Sequence, residues 1–234
     1  MASASSIVKL ADARTECDGV SVFDFTRPPG YRFAPGQYQM LTLQTREGSQ
    51  TKPFTHCDAP DDEHARVLTR LTGSAFKDAL VALKPGDEVS MTGPHGRLIV
   101  PDGVRKAGFL VGGVGITPAS SIVRDAARRQ TGLQCLVIYG NKDESCIPLR
   151  EEFASYEKEP GISVVDVLAE PAPSWAGERG FITADLVRRH CDPLDEWHWF
   201  LSGPPTMVGA MRAVLTELGV PEAATSFEEF TGYQ

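Results

Sequence analysis

The sequence predicts two domains, an N-terminal antiparallel β-barrel followed by an α/β domain with a Rossmann-like parallel sheet. The 234 residues are 41% hydrophobic and 23% charged, which is the composition of a folded protein long enough for one large or two modest domains. Short β-rich runs bounded by turn residues fill the first hundred residues, whereas apolar runs alternate with amphipathic helices after Pro101-Asp102-Gly103. We therefore assign residues 1–102 to the barrel domain and residues 103–234 to the α/β domain.

Six strands and one helix are expected in the barrel domain. Ser74 is a suitable N-cap, and Phe76, Leu80 and Leu83 recur at helical spacing, which predicts a helix over residues 74–83. The strands are the short runs rich in β-branched and aromatic residues, namely residues 6–13, 20–26, 37–44, 52–56, 66–72 and 88–92.

The α/β domain is expected to contain five parallel strands with helices between them. An apolar run followed by an amphipathic helix, repeated along the chain, is typical of a parallel sheet covered on its faces. The predicted strands are residues 107–111, 133–139, 163–167, 198–201 and 224–227, and the predicted helices are residues 118–130, 149–157, 183–190 and 207–218.

Net charge and hydropathy exclude several function classes. The chain has 23 Lys and Arg residues against 31 Asp and Glu residues, and its net charge of -8 disfavours non-specific nucleic-acid binding. It has no run of about 18 apolar residues and no basic segment followed by an apolar stretch, so neither membrane insertion nor secretion is expected. We expect a cytoplasmic protein.

The cysteines and one acidic run are interpreted without a functional role. No CxxC pair and no cluster spaced for zinc or an iron–sulfur centre occurs, so no metal site is expected. The run Asp61-Asp62-Glu63 is expected to be a solvated loop. Free thiols in a reducing compartment are expected for all five cysteines, Cys17, Cys57, Cys135, Cys146 and Cys191.

Two glycine-containing turns follow predicted strands of the α/β domain and open predicted helices. Residues 112–118 read Gly-Gly-Val-Gly-Ile-Thr-Pro, and residues 202–207 read Ser-Gly-Pro-Pro-Thr-Met. Backbone N–H groups and a helix dipole at such a turn suit a pyrophosphate, and two turns at one sheet edge form a crevice. The alternative is that both are ordinary strand-to-helix loops, because the spacing is not that of the GxGxxG fingerprint.

One barrel strand carries a cation, an aromatic ring and a hydroxyl. Lys52 could pair with a phosphate, Phe54 could stack on a flat ring, and Thr55 could hydrogen-bond a ring nitrogen. The side chains of Lys52 and Phe54 share a strand face, and that of Thr55 points to the other face unless a bulge turns it. The alternative is that this segment is simply a strand.

In their order along the chain, these motifs resemble those of the ferredoxin-NADP reductase superfamily of flavin-dependent oxidoreductases. The resemblance covers nearly the whole chain and implies a flavin-binding barrel followed by a nicotinamide-nucleotide domain. It rests on residues 33–38 (Phe-Ala-Pro-Gly-Gln-Tyr), 52–55 (Lys-Pro-Phe-Thr), 83–87 with 93–96, 112–118 and 202–207.

The resemblance also implies roles for individual residues. Phe54 would lie against the flavin ring, Thr55 would hydrogen-bond near its reacting edge, and Lys52 would neutralise flavin phosphate. The other implied cofactor-binding residues are Pro53, Thr69, Ser74, Ala75, Phe76 and Lys77 for the flavin, and Gly113, Gly115, Thr117, Asn141, Lys142, Ser202, Gly203 and Pro204 for the nicotinamide nucleotide.

The C-terminal tail resembles the family's final strand, which ends in an acidic residue and an aromatic near the flavin. Glu228 or Glu229 would orient nicotinamide or relay protons, and the alternation of the strand does not choose between them. Phe230 aligns best with an aromatic that shields the flavin, and Tyr233 is the alternative. The alternative is that Phe230 only packs in the core and that Tyr233 only belongs to an unstructured end of the chain.

Two departures from the family pattern matter. Lys52 replaces an arginine, which loses the bidentate fork and weakens phosphate binding, and Ser202 replaces a cysteine. The resemblance implies hydride transfer between NAD(P)H and FAD, with FMN less favoured. Electrons would then pass to a separate carrier, such as a ferredoxin or flavodoxin, or to a small acceptor. The alternative is a nucleotide-binding module of the same fold that has lost its flavin.

Overall fold

The computed structural model describes residues 5–191 and 193–230 and contains two six-stranded sheets. The first sheet is antiparallel and the second is parallel. The strands of the first sheet are β1 (Ser6–Cys17), β2 (Val20–Thr26), β3 (Tyr38–Thr45), β4 (Gly48–Thr55), β5 (His64–Arg70) and β6 (Glu88–His95). Those of the second are β7 (Lys106–Gly112), β8 (Gln134–Asn141), β9 (Ile162–Leu168), β10 (Glu178–Arg179), β11 (His198–Gly203) and β12 (Thr225–Glu229).

The antiparallel sheet curls around an apolar core in the order β4-β3-β6-β1-β2-β5. Its two edge strands, β4 and β5, approach each other without joining in a ladder, so the sheet is barrel-like but not closed. Helix α1 (Ala75–Ala82) packs on β3 and buries Phe76 and Leu80 in this core. The Ser74 side chain accepts a hydrogen bond from the backbone N–H of Lys77, as expected for an N-cap.

The parallel sheet has the order β10-β9-β8-β7-β11-β12. Its helices are α2 (Thr117–Arg129), α3 (Arg150–Tyr156), α4 (Ala184–His190) and α5 (Pro205–Glu217). The chain runs outward from β7 through β8 and β9, and then returns to place β11 on the other side of β7. This reversal between β7 and β11 is a topological switch point, where open α/β sheets leave a crevice at the carboxyl ends of their strands.

The predicted fold class is confirmed, and the differences lie at element ends and in one additional short strand. Strand β1 extends to Cys17 and β6 to His95, beyond their predicted limits, because antiparallel pairing with β2 and β3 continues there. The two-residue strand β10 was not expected, because it lies in a polar segment and pairs only briefly with β9.

The expectation of five free thiols is wrong for two of them. Cys17 and Cys146 form a disulfide although 129 residues separate them. It joins the end of β1 to the segment after β8, so it connects the two domains. Spacing could not reveal it, because packing of the domains brings the two thiols together. Cys57 and Cys135 are buried, and burial raises the pKa of both thiols.

The expectation of a solvated acidic loop is wrong for Asp62. Its carboxylate accepts a hydrogen bond of 2.6 Å from Arg124 Nε of α2, and only 10% of its side chain is exposed. The segment between β4 and β5 packs against α2, so the carboxylate lies at the domain interface. Asp61 remains exposed and pairs with Arg129.

Within residues 5–191 and 193–230, no helix is long and apolar enough to cross a membrane. The same residues contain no group of three or more His, Cys, Asp or Glu side chains arranged to hold a metal ion.

Candidate active site

A cavity of about 410 Å³ lies between the barrel and the α/β domain. Its walls come from β4 and the hairpin before it, from α1 and the residues preceding it, from the start of α2, and from the end of β12. The lining residues are Arg46, Glu47, Gln50, Lys52, Pro53, Phe54, Thr55, Leu68, Thr72, Ser74, Ala75, Phe76, Lys77, Thr117, Glu228, Glu229 and Phe230.

The β4 wall brings Lys52, Pro53, Phe54 and Thr55 to the same cavity. Pairing with β3 runs without a shift from Thr45 opposite Gly48 to Tyr38 opposite Thr55, so no bulge turns Thr55. Without a bulge, strand alternation puts Thr55 on the face opposite to Lys52 and Phe54, as the sequence predicts. All three residues nevertheless line the cavity, and Phe54 and Thr55 are buried.

The α1 wall combines a capped helix N-terminus with a buried amine. Lys77 Nζ lies 4.5 Å from the centre of the Phe54 ring and hydrogen-bonds the hydroxyl of Thr69. Thr69 is fully buried behind the wall. Burial, reinforced by the positive charge of Lys52, lowers the pKa of Lys77 to about 7. The wall thus offers an amine whose protonated form a bound anion would stabilise.

The opposite wall places a carboxyl group and an aromatic ring near Thr55. Thr55 Oγ1 donates to Glu228 Oε2 over 3.4 Å, and burial raises the pKa of Glu228. Glu229 is exposed at the cavity rim. Phe230 is partly buried against the core and also lines the cavity, and its N–H donates to Gly203 O at 2.8 Å. Tyr233 lies outside the described residues.

The two turns meet at the switch point. Ser202 is buried, and its hydroxyl donates to Gly115 O at 2.7 Å. A Cβ on Gly115 would lie 2.3 Å from Ser202 O, so Gly115 is needed for the two turns to touch. Gly113 has a φ of +53°, and a Cβ there would meet nothing within 4 Å. The turn therefore has open space above Gly113. A Cβ on Gly203 of the second turn would lie 3.7 Å from Gly112 O, and Pro204 is exposed.

Asn141 and Lys142 lie further along the same sheet edge, at the end of β8. Asn141 Nδ2 is buried without a hydrogen-bond partner among the described residues. Lys142 Nζ lies 3.6 Å from Glu170 Oε2, and both side chains are largely exposed. Glu170 follows β9, so two adjacent strand ends contribute opposite charges to this edge.

These residues fit the two nucleotides that the resemblance implies. The cavity presents two amines, a capped helix N-terminus, a hydroxyl and rings on two walls, which suit the phosphates and the flat ring of a flavin nucleotide. The open space over Gly113 and the orphaned Asn141 amide suit a second nucleotide along the sheet edge.

The structure brings together most of the sequence-predicted site residues and leaves eight outside the cavity lining. Those eight are Thr69, Gly113, Gly115, Asn141, Lys142, Ser202, Gly203 and Pro204. The lining residues that the sequence analysis missed are Arg46, Glu47, Gln50, Leu68 and Thr72. Strand alternation could have found Gln50, which shares the face of Lys52 and Phe54. Arg46 and Glu47 carried no signal, because a hairpin turn brings them to the cavity.

Comparison with known proteins gives one family. Residues 109–213 match the model of the oxidoreductase NAD-binding domain. NADH-cytochrome b5 reductase 1 of Ajellomyces capsulatus is 33% identical over 217 residues, covering 86% of this chain and 69% of that protein. Ferredoxin–NADP reductase B of Sorangium cellulosum is 28% identical, with 95% and 96% covered. NADH-cytochrome b5 reductase 1 of Aspergillus terreus is 35% identical over 153 residues. This match covers 62% of this chain and about half (52%) of that relative's length.

Solved structures share the fold over nearly the whole chain. The cytochrome b5 reductase domain of Ulva prolifera nitrate reductase has a TM-score of 0.83 at 21% identity, with 97% of each chain covered. A ferredoxin NADP+ reductase from Neisseria gonorrhoeae, solved with bound FAD and NADP, has a TM-score of 0.83 at 19% identity, with 96% and 98% covered. The motifs, the two-sheet fold and these matches agree, and the chain belongs to the ferredoxin-NADP reductase superfamily.

Proposed function

We propose that this chain is a FAD-dependent oxidoreductase that takes a hydride from NAD(P)H and passes electrons to a separate one-electron carrier. The observation that carries the proposal is the cavity between the domains, because it combines two amines and a capped helix N-terminus with aromatic side chains. Thr117, which begins the helix after the glycine-containing turn, also lines this cavity. A flavin bound there would accept the hydride at its ring and release the electrons one at a time.

The chain's own residues would bind and orient rather than react. Lys52, Lys77 and the N-terminus of α1 would hold the flavin phosphates. Phe54 and Phe230 come from different domains and would flank the ring, which excludes water from the reacting face. The crevice between the two turns would hold the nicotinamide side of the donor, so that two reactants meet in a fixed orientation.

Thr55 and Glu228 would supply polar groups at the reacting edge. The hydroxyl of Thr55 already donates to the Glu228 carboxyl group, whose pKa is raised by burial. The pair would therefore place a carboxyl group with a raised pKa beside the ring, where it can hold a proton more readily than an exposed glutamate. Glu229, being exposed at the rim, is the less favoured of the two carboxylates that the sequence left open.

The acceptor is proposed as a separate one-electron carrier protein or a small acceptor, without a choice among individual carriers. The relatives' names contain two carriers, cytochrome b5 and ferredoxin. A soluble carrier or a small acceptor would reach the ring from the side of the cavity that opens to solvent. Reduction assays with cytochrome b5, a ferredoxin and a flavodoxin would rank the candidates.

The decisive experiment mixes the purified protein anaerobically with NADH and, separately, with NADPH while flavin absorbance is followed. Bleaching of a yellow protein supports the proposal, and extraction of the cofactor distinguishes FAD from FMN. A colourless protein that cannot be reconstituted with FAD or FMN supports the alternative, a nucleotide-binding module without redox activity.

Thr55→Ala tests the assignment of the reacting edge. We expect the variant to retain flavin but to be reduced about 10- to 100-fold more slowly, because one hydrogen bond of about 1–3 kcal/mol is lost. Stopped-flow single-turnover reduction measures this rate. An unchanged rate would remove Thr55 from the proposed mechanism.

A further inference from the structure

Two serines of α2 connect the nucleotide turn to the strand that carries Thr55. Ser120 Oγ donates to Cys57 O at 3.0 Å, and Ser121 Oγ donates to Asp58 O at 2.7 Å. Both serines are fully buried. Helix α2 begins at Thr117, directly after the turn with Gly113 and Gly115, so these bonds lie within the first two turns of the helix that the nucleotide would face.

The segment that accepts these two hydrogen bonds, residues 57–58, is held in place by contacts within the barrel domain. Cys57 and Asp58 come two and three residues after Thr55. Asp58 Oδ1 accepts from Arg66 N at 3.0 Å and lies 3.0 Å from Nδ1 of the fully buried His56. The His56 ring stacks on Phe33 with the ring centres 3.9 Å apart. The carbonyls of Cys57 and Asp58 therefore have little freedom to follow α2 if the domains move.

Ionic contacts surround the serine bonds but are less constrained. Arg124 of α2 donates to Asp62 and also to Glu152 of α3, and Arg66 of β5 reaches Glu152 over 3.4 Å. Long charged side chains can keep their contacts when the domains shift. A hydrogen bond from a short, buried serine hydroxyl to a main-chain carbonyl holds only over a narrow range of oxygen–oxygen distances, roughly 2.5–3.0 Å. Among the contacts between α2 and the segment after β4, the serine pair therefore fixes the separation most narrowly.

We propose that Ser120 and Ser121 are positioning residues, which set the distance between the nicotinamide crevice and the flavin ring. This inference rests on the proposed function. The physical path runs from the turn at residues 112–117 through the serine hydroxyls to the carbonyls of residues 57 and 58, and then to Thr55. A small error in this distance is costly, because a misplacement of about 1 Å can slow an oriented reaction about 100-fold.

The test compares the holoprotein with Ser120→Ala, Ser121→Ala and the double variant. Ser90→Ala is the control, because it removes a hydroxyl–hydroxyl hydrogen bond of 2.7 Å to Ser5 on the surface of the barrel domain, away from the domain interface. Three quantities are measured: FAD affinity, NADH-dependent flavin reduction, and the long-wavelength charge-transfer absorbance that reports stacking of nicotinamide on flavin. The single variants remain informative if the double variant does not fold.

We expect the serine variants to bind FAD within about twofold of the wild type, to lose most of the charge-transfer absorbance, and to be reduced about 10- to 100-fold more slowly. The control should match the wild type. Unchanged absorbance and rates in folded variants would overturn the inference while leaving the proposed function intact. A wild-type protein that binds no flavin would overturn both.

Discussion

The two sides of the site are built from different chemistry. The side-chain wall is the barrel wall of the cavity, which presents Lys52, Lys77 and Thr55 among others, and these can be replaced without moving the backbone. The backbone side is the crevice next to the cavity, where Gly113 has a positive φ and Gly115 leaves no room for a Cβ. A side-chain wall can change its affinity and pH response by single substitutions, whereas a backbone wall changes only when the fold does.

The largest effect is expected on the backbone side. Gly115→Ala would place a methyl group 2.3 Å from Ser202 O and 2.8 Å from Gly203 Cα, so the two turns must separate. We expect the free energy of unfolding to fall by about 2–3 kcal/mol. Thermal unfolding of the apoprotein measures the loss without reference to any ligand.

Gly209→Ala is the matched control for this change. Gly209 lies on the exposed face of α5, and a Cβ there meets nothing within 4 Å. The same substitution should stabilise the helix by up to about 1 kcal/mol. If both variants melted at the wild-type temperature or above, the claim that the α/β side depends on backbone contact would be wrong.

The second effect tests the side-chain wall. Lys52→Ala should weaken FAD binding about 5- to 10-fold with unchanged thermal stability of the apoprotein, since it removes one partly solvated phosphate partner. Lys52→Arg should tighten binding by restoring a bidentate fork. Flavin fluorescence titrations measure both affinities. Lys9→Ala is the control, because Lys9 pairs with Glu88 on the barrel surface. Equal affinities in all four proteins would contradict the assignment.

Local motifs in the sequence could be recognised on both sides of the site, whereas contacts between the domains could not. Glycine-containing turns after apolar strands have a local signature, so the crevice at residues 112–118 and 202–207 could be found from composition and order alone. The contact of Thr55 with Glu228 joins residues 173 positions apart in the chain. Alternation within one strand could not choose between Glu228 and Glu229, because the choice depends on how the domains pack.

The same limit explains the two expectations that failed. The disulfide between Cys17 and Cys146 and the ion pair between Asp62 and Arg124 both cross the domain interface. Each partner has an ordinary local environment in the sequence. Only the relative placement of the two sheets brings the partners together, and no periodicity encodes that placement.

A third effect concerns pH on the side-chain wall. Burial and Lys52 lower the pKa of Lys77 to about 7, well below the value of 10.5 for an unperturbed lysine. The unfolded chain therefore binds more protons than the folded apoprotein between about pH 7 and 10.5, and apoprotein stability should rise with pH in that window. Flavin phosphate favours the charged amine, so FAD should bind more tightly as pH falls from 9 to 6.

Lys77→Arg isolates this pH response, because a guanidinium stays charged throughout the range. We expect the FAD dissociation constant of the wild type to rise about tenfold from pH 6 to pH 9, and that of the variant to stay nearly constant. Calorimetry in buffers of different ionisation enthalpy should also detect proton uptake on binding at pH 8 in the wild type only. Parallel pH profiles for the two proteins would mean that Lys77 does not titrate with the flavin.

The smallest effect is expected at the ends of β8 and β9, where two exposed side chains would contact the donor nucleotide. Lys142 follows β8 and Glu170 follows β9, at the strand ends where an adenosine ribose binds in open α/β sheets. Lys142 would attract a 2′-phosphate, and Glu170, 3.6 Å away, would offset that attraction or accept from a free 2′-hydroxyl. The two charges oppose each other, so we expect weak discrimination between NADPH and NADH.

Single substitutions should unbalance this pair in opposite directions. Lys142→Ala should lower kcat/KM for NADPH about 3- to 10-fold more than for NADH, and Glu170→Gln should shift the ratio toward NADPH by a similar factor. The effects are small because both side chains are largely exposed, and high salt should reduce them further. Steady-state kinetics with both donors at low and high ionic strength measures the ratio. An equal loss with both donors would show that Lys142 does not read the phosphate, and the donor preference would then depend on the backbone turn alone.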